Sequence, residues 1–293
     1  MSDVFRESSV VAGGVRFHYA TAGRGPLVLL LHGFPERWTS WKKQIPALAR
    51  AGWRVVAPDL RGYGESDRPD EGYSLPSLAQ DVASLVTALG EDQATVIGHD
   101  WGGAITWEAA SRFPHRVARY AVLNCPHPAV LDAVARRSLT QLSRSSYMLI
   151  FNIPWLPERL IARDRGARIV RRFEGAGVPL SPDSIAELRK VATSPAAVRP
   201  MLTYYRRAVR DALTQRLPPY PIIRQPGLLL WGEGDAVLGE ELIAPHTRVA
   251  LDLSIRRIPR SGHFVQQLNP DAVNETLTSW LSIESHRASR QAR

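Results

Sequence analysis

The six residues Gly98-His99-Asp100-Trp101-Gly102-Gly103 constrain this chain more than any other stretch. Ala94-Thr95-Val96-Ile97 before them is short, apolar and β-branched, and reads as a buried strand. Ala104 to Ala110 after them reads as a helix with its apolar residues on one side. A Gly-x-X-x-Gly turn between a strand and a helix is the nucleophile-elbow pattern, which thrusts its central side chain out over a sheet. Small residues are required there because backbone crosses backbone and φ is driven into unusual regions. The central position usually holds serine, and here it holds Asp100.

The flanking sequence predicts what that turn is mounted on. Val15, Phe17 and Tyr19 alternate with Arg16 and His18, which predicts a short antiparallel pair turning at Gly13-Gly14. Leu27 to Leu31 is a continuous apolar run, expected of a strand covered on both faces. Further strands are expected at 54–58, 119–123, 227–231 and 252–258, with helices near 40–50, 77–89 and 240–249. A last helix opens at Asn269-Pro270-Asp271 and should bury Val273, Leu277, Trp280 and Leu281, leaving 285–293 as a disordered tail. Regular alternation of strand and helix argues a mainly parallel, doubly wound α/β sheet. It is interrupted by about a hundred residues of proline-rich helical pattern, with helix starts at Ser181-Pro182 and Ser194-Pro195. The expected division is a core of 1–126 and 219–293 with a helical cap, or lid, at 127–218.

Composition excludes several classes. Hydrophobic content of 44% and charged content of 22% are those of a globular protein. The first residues lack an apolar signal region, and no run approaches the length of a membrane span, so a cytoplasmic protein without a transmembrane segment is expected. One cysteine, Cys125, rules out an intramolecular disulfide and multi-thiolate metal sites, and is expected to be buried packing. The formal charge of +9 is carried almost wholly by arginine, since only Lys42, Lys43 and Lys190 are lysines. No zinc-finger, helix-turn-helix or aromatic RNA-binding signature accompanies it, so no nucleic-acid partner is expected. A homodimer is compatible with the sequence.

Two more polar residues fall just after predicted strands, where open α/β sheets place their ligands. They are Asp235, in Trp231-Gly232-Glu233-Gly234-Asp235, and His263, in Ser261-Gly262-His263-Phe264. Nucleophile, acid, histidine is the chain order of an α/β-hydrolase triad. An aspartate nucleophile narrows the chemistry. It is ionised at neutral pH and needs no base for its attack. On a carbonyl it would give a mixed anhydride; at a saturated carbon with a leaving group it gives an ordinary ester. His263, held in one tautomer by Asp235, would then activate water against that ester. The backbone N–H groups of Phe34 and Trp101 are the expected oxyanion hole.

His32-Gly33-Phe34-Pro35, Asp59-Leu60-Arg61-Gly62-Tyr63-Gly64-Glu65-Ser66, Gly98 to Gly103 and Ser261-Gly262-His263-Phe264 together resemble the α/β-hydrolase-fold epoxide hydrolases. The resemblance implies a mostly parallel eight-stranded sheet with helices on both faces, an inserted helical cap and a cis Phe34-Pro35 peptide. It also implies two cap tyrosines that protonate the opening epoxide, with water as the second substrate and neither metal nor organic cofactor. Tyr147 resembles the first tyrosine and Tyr205 the second. Helix periodicity leaves Tyr204 and Tyr205 open, because 201/204/208 and 202/205/209 are both fairly apolar stripes. Phe34, Pro35, Trp38, Trp101 and Phe151 are expected to wall the substrate pocket. Two alternatives remain at this stage. A haloalkane dehalogenase would use the same nucleophile, although Phe34 stands where one halide donor commonly sits. The other is a catalytically silent ligand-binding protein on the same fold.

Overall fold

The computed structural model describes residues 5–144, 146–175, 180–214 and 220–291. Its centre is the strand Leu27–Leu31 (β3), every residue of which is buried. Around it runs an eight-stranded sheet. The other strands are Arg6–Ala12 (β1), Val15–Ala22 (β2), Arg54–Pro58 (β4), Ala94–His99 (β5), Val117–Leu123 (β6), Gly227–Gly232 (β7) and Leu253–Ile258 (β8). Their order across the sheet is β1-β2-β4-β3-β5-β6-β7-β8. β1 and β2 form the expected hairpin and β2 pairs antiparallel with β4; all later pairings are parallel.

Because successive side chains leave a strand on opposite faces, β3 feeds two separate cores. Leu27, Leu29 and Leu31 pack with Leu75–Ala88 (α2) and Trp101–Arg112 (α3), while Val28 and Leu30 pack with Gln44–Arg50 (α1) and with Pro270–Gln291 (α12), which follows the short Val265–Leu268 (α11). The registers Leu31 with Gly98, His99 with Leu123, and Leu123 with Leu230 bring the carboxyl ends of the four central strands level. That edge is where ligands meet sheets of this kind.

Between β6 and β7 every regular element of the described chain is a helix, followed by a lone β-bridge of Ile223 with Ala250. The helices are Pro128–Ala135 (α4), Leu139–Arg144 (α5), Tyr147–Phe151 (α6), Leu156–Arg163 (α7), Ala167–Gly175 (α8), Pro182–Val191 (α9) and Pro195–Thr214 (α10). Polar contacts seat this insertion on the sheet's carboxyl edge. Arg37 donates to Glu187 at 2.8 Å, Lys42 pairs with Asp183 at 3.3 Å, and Ser184 Oγ donates to Gln267 at 2.7 Å. At its start, His246 Nε2 accepts the His127 backbone N–H at 2.8 Å while the His246 ring stacks on Trp107.

Several sequence expectations are corrected here. Helix α2 begins at Leu75, two residues before the expected Ser77, because Ser74 caps it by accepting the Ser77 N–H, and Pro76 needs no partner in the first turn. The helix expected near 240–249 is instead two 3₁₀ turns, Glu240–Leu242 and Ala244–Arg248. Pro245 has no N–H to continue an α-helical ladder, so the chain closes i→i+3 bonds, from Ile243 to Glu240 and from His246 to Ile243. The 285–293 tail was expected to be disordered, but α12 continues to Gln291; residues 292–293 lie outside the described chain. Val273, Leu277, Trp280 and Leu281 are buried as expected.

Candidate active site

Asp100 stands at the head of α3 with φ +50° and ψ −120°, a conformation few side chains other than glycine adopt. The neighbouring glycines make it reachable. A Cβ on Gly98 would collide with the Gly102 carbonyl, and one on Gly102 with the carbonyls of Leu31 and His32. The turn thus closes only with hydrogen at those positions, and the strain falls on the one residue whose side chain projects.

Phe34, in a cis peptide bond with Pro35, donates its backbone N–H to Asp100 Oδ1 at 2.8 Å. The Trp101 N–H opens α3, where the first-turn donors have no partner within the helix. His263 places Nε2 3.5 Å from Asp100 Oδ2 and Nδ1 2.8 Å from Asp235 Oδ2. Asp235 Oδ1 accepts the N–H groups of Val237 (2.8 Å) and Leu238 (2.9 Å). The sequence-predicted Asp100, Asp235 and His263 therefore meet at one point on the sheet edge.

Electrostatics give the three residues distinct states. Burial on its own would strip His263 of its proton, but the carboxylates of Asp235 and Asp100 outweigh it and lift its pKa to about 10. Burial pushes the Asp100 carboxyl up, yet the His263 hydrogen bond and charge hold it below the ordinary carboxylate range. Asp235 is also held low against burial, by His263, the Leu238 N–H and Asn124. The resting site is a cation between two anions.

Three supports were not anticipated. Asn124 donates Nδ2 to Asp235 Oδ2 at 2.8 Å and accepts the Gly232 N–H at 2.9 Å. His99 and Glu36 form a wholly buried pair at 2.9 Å, and His99 Nε2 donates to the His263 carbonyl at 2.9 Å. Glu36 also accepts from Gly33 N–H at 3.1 Å, from Gln266 at 3.0 Å, and from Gln267. One carboxylate thus ties together the loops carrying Phe34, Asp100 and His263. The Asp59 loop turns on a similar hub. Asp59 is fully buried and meets Arg37, His18 and the N–H groups of Trp38 and Glu65. The sequence signal available for both hubs was an acidic residue directly after proline, in Pro35-Glu36 and Pro58-Asp59.

Above the carboxylates lies a largely apolar cavity of about 510 Å³ whose wall includes Phe34, Tyr147, Phe151, Ala236 and Val237. Tyr205 packs edge-on against Phe34 (5.3 Å), Trp101 (5.1 Å), Tyr147 (5.8 Å) and Phe151 (5.0 Å). Tyr204 points elsewhere: its hydroxyl donates to the Arg61 carbonyl at 2.7 Å and its ring sits between Tyr63 and Tyr73. Burial and the Asp100 charge raise the Tyr147 phenol; burial, Tyr147 and Asp100 do the same to Tyr205, so both remain proton donors. Of the five expected pocket residues, Phe34 and Phe151 line this cavity. The Trp101 ring stands behind the tyrosines, against Tyr204 and Tyr205, and Pro35 makes the cis bond. Trp38 is a correction. It lies in a 3₁₀ turn whose N–H is fixed by Asp59, and its ring packs against Phe5 at 5.0 Å, on the core face that holds α1 and α12. Cys125 is buried, and burial pushes its thiol well up, which leaves it inert packing.

Comparison with known proteins agrees with this architecture. A family model described as alpha/beta hydrolase fold matches residues 26–270. Human Epoxide hydrolase 4 is 36% identical over 94% of this chain and 78% of its own length. The AB hydrolase superfamily protein YfhM of Bacillus subtilis is 33% identical over 93% of this chain and 96% of its own. Among solved structures, Epoxide Hydrolase A from Mycobacterium thermoresistibile superposes with a TM-score of 0.81 at 32% identity, covering 95% of this chain and 98% of that one. An inhibitor complex of the Bacillus megaterium epoxide hydrolase gives 0.84 at 27% identity, over 94% and 100%. With the elbow, the sheet order and these relatives together, the chain belongs to the epoxide hydrolases of the α/β-hydrolase fold.

Proposed function

We propose that this protein hydrolyses an epoxide to a vicinal diol through an ester on Asp100. The observation that carries the reading is the division of the Asp100 carboxylate. Oδ1 is occupied by the Phe34 N–H and Oδ2 is left toward His263, beneath the half-buried Tyr147 and the buried Tyr205. In this reading residues 1–126 and 219–293 are the core, and 127–218 form a cap that brings the two tyrosines over the nucleophile.

Oδ2 attacks an oxirane carbon, the carbon–oxygen bond of the ring breaks, and the released alkoxide takes the proton of Tyr147 or Tyr205. Ester formation cancels the Asp100 charge. His263 then sits beside one carboxylate instead of two and loses part of what holds its proton. That proton balances the one the tyrosine gave. Neutral His263, oriented by Asp235, accepts a proton from water as it adds to the ester carbonyl. The oxyanion forms on Oδ1, facing the Phe34 and Trp101 N–H groups. Collapse releases the diol and restores the carboxylate.

The test is single-turnover mass spectrometry with styrene-type, fatty-acid and terpene epoxides. His263→Gln should accumulate protein heavier by the mass of one substrate, and Asp100→Ala should neither gain mass nor turn over. Diol formation surviving in Asp100→Ala would refute the reading, and halide release exceeding diol formation on matched haloalkanes would replace it with dehalogenation.

A further inference from the structure

Leu149, Ile150, Ile153, Trp155 and Leu156 form an apolar outcrop on the insertion, each between 39% and 65% exposed. Ile150 and Leu156 also line the 510 Å³ cavity, so the outcrop continues into the cavity wall. Large exposed apolar patches mark interaction surfaces. Trp155 reinforces this. It holds φ +50°, an unfavourable conformation for a bulky residue, and so displays its ring rather than burying it. The Arg159 guanidinium lies over that ring, 5.0 Å from its centroid.

Charge identifies the occupant. Residues 149–172 contain six arginines and two acidic residues. Both acids are engaged, Glu158 by Arg206 and Asp164 by Arg168 and Arg171. Arg159 and Arg163, one turn apart on α7, and Arg165 beyond it are exposed and have no ion-pair partner among the described residues. A second copy of the chain seated on this patch would oppose these cations with themselves. A nucleic acid would leave Leu149 and Ile153 without apolar contact. Aliphatic side chains, an indole and unneutralised guanidinium groups on one face match the headgroup boundary of an anionic bilayer.

We propose that residues 149–163 dock the chain peripherally on an anionic lipid surface, with the cavity wall at Ile150 and Leu156 turned toward the lipid. The docking stands apart from the epoxide chemistry. If both hold, apolar epoxides dissolved in the bilayer enter the cavity without crossing water.

The experiment is co-sedimentation of the full chain with phosphatidylcholine vesicles, with and without an equal part of phosphatidylglycerol, at low and high salt. Binding should require phosphatidylglycerol and weaken with salt. Arg159→Gln with Arg163→Gln should weaken it about thirtyfold, at about 1 kcal/mol for each arginine. Leu149→Ser/Ile153→Ser/Trp155→Ser should abolish it, with melting temperature and turnover of a water-soluble epoxide unchanged. Absence of binding to anionic vesicles, equal binding to neutral ones, or undiminished binding by either variant would overturn the proposal. So would a dimer that disappears in the triple variant while vesicles remain unbound. Loss of epoxide turnover in the parent protein would refute the catalytic reading and leave the docking result standing.

Discussion

The proposed mechanism requires that charge on Asp100 control the proton on His263, and Asp100→Ala tests this directly. The relevant nitrogen and oxygen are 3.5 Å apart. At an effective dielectric of about 20, two unit charges at that separation attract by about 4.7 kcal/mol. At 1.36 kcal/mol per unit, this corresponds to about 3.5 pKa units. His263, held at about 10 with both carboxylates present, should therefore fall to about 6.5 in the variant. The assay is a pH titration of ¹⁵N-labelled imidazoles by NMR, with the His263 signal among the eight histidines assigned by its loss in His263→Gln. Linkage gives an independent reading with a definite sign. A folded-state pKa of about 10 against an unfolded 6.5 contributes stability that is complete below about 6.5 and is lost as pH rises through 10. In Asp100→Ala the folded value falls to the unfolded one, so that alkaline loss should disappear. If His263 still titrates near 10 in the variant, Asp235 alone holds the proton, alkylation of Asp100 cannot release it, and the switch is refuted.

Other outcomes follow from the same geometry. Tyr147→Phe and Tyr205→Phe should each lower kcat/KM at least tenfold, within the 10²–10⁴ range typical of a positioned acid for the pair together. Tyr204→Phe, losing only the bond to the Arg61 carbonyl, should cost about 1 kcal/mol in urea unfolding with kcat/KM nearly unchanged. Glu36→Gln takes one of two acceptor oxygens from the buried cluster of Gly33, His99, Gln266 and Gln267 and should destabilise by about 2 kcal/mol, read by denaturant midpoint. Asn124→Ala removes one donor from Asp235 and should shift the pH dependence of ester hydrolysis, whereas a purely structural role would change only stability.

What could be read from the sequence was set by local chemistry. β3, β5 and β7 were legible because a strand buried on both faces is largely apolar, and Asp100 and Asp235 because each follows such a strand; His263 follows the half-exposed edge strand β8 and was legible through Ser261-Gly262-His263-Phe264. Misreadings arose where the deciding contact is distant in sequence. Trp38 lies four residues from Phe34, but Asp59, twenty-one residues further on, fixes its turn and sends its ring to the opposite core. Tyr204 and Tyr205 are equivalent by periodicity; a carbonyl 143 residues from Tyr204 separates them. Glu36 and His99, 63 residues apart, give no sign in the sequence that they meet beneath the site. Pro245, by contrast, announced its own effect, and the 3₁₀ turns at 240–248 follow from one missing N–H.

The insertion meets the sheet edge through ion pairs such as Arg37–Glu187 and Lys42–Asp183 and through the packing of Tyr204 and Tyr205, while Asp100 is fixed by backbone that no side chain can enter. In the proposed reaction, the group that attacks carbon and the groups that receive oxygen thus belong to separately mounted parts of the chain. An epoxide offers two carbons, and by this mechanism the one opened is whichever faces Oδ2 once the tyrosines hold the oxygen. A small shift in how α6 and α10 sit would exchange one carbon for the other with the nucleophile unaltered. Regiochemistry and enantiomer preference can therefore change through substitutions far from Asp100, at the contacts that seat the insertion.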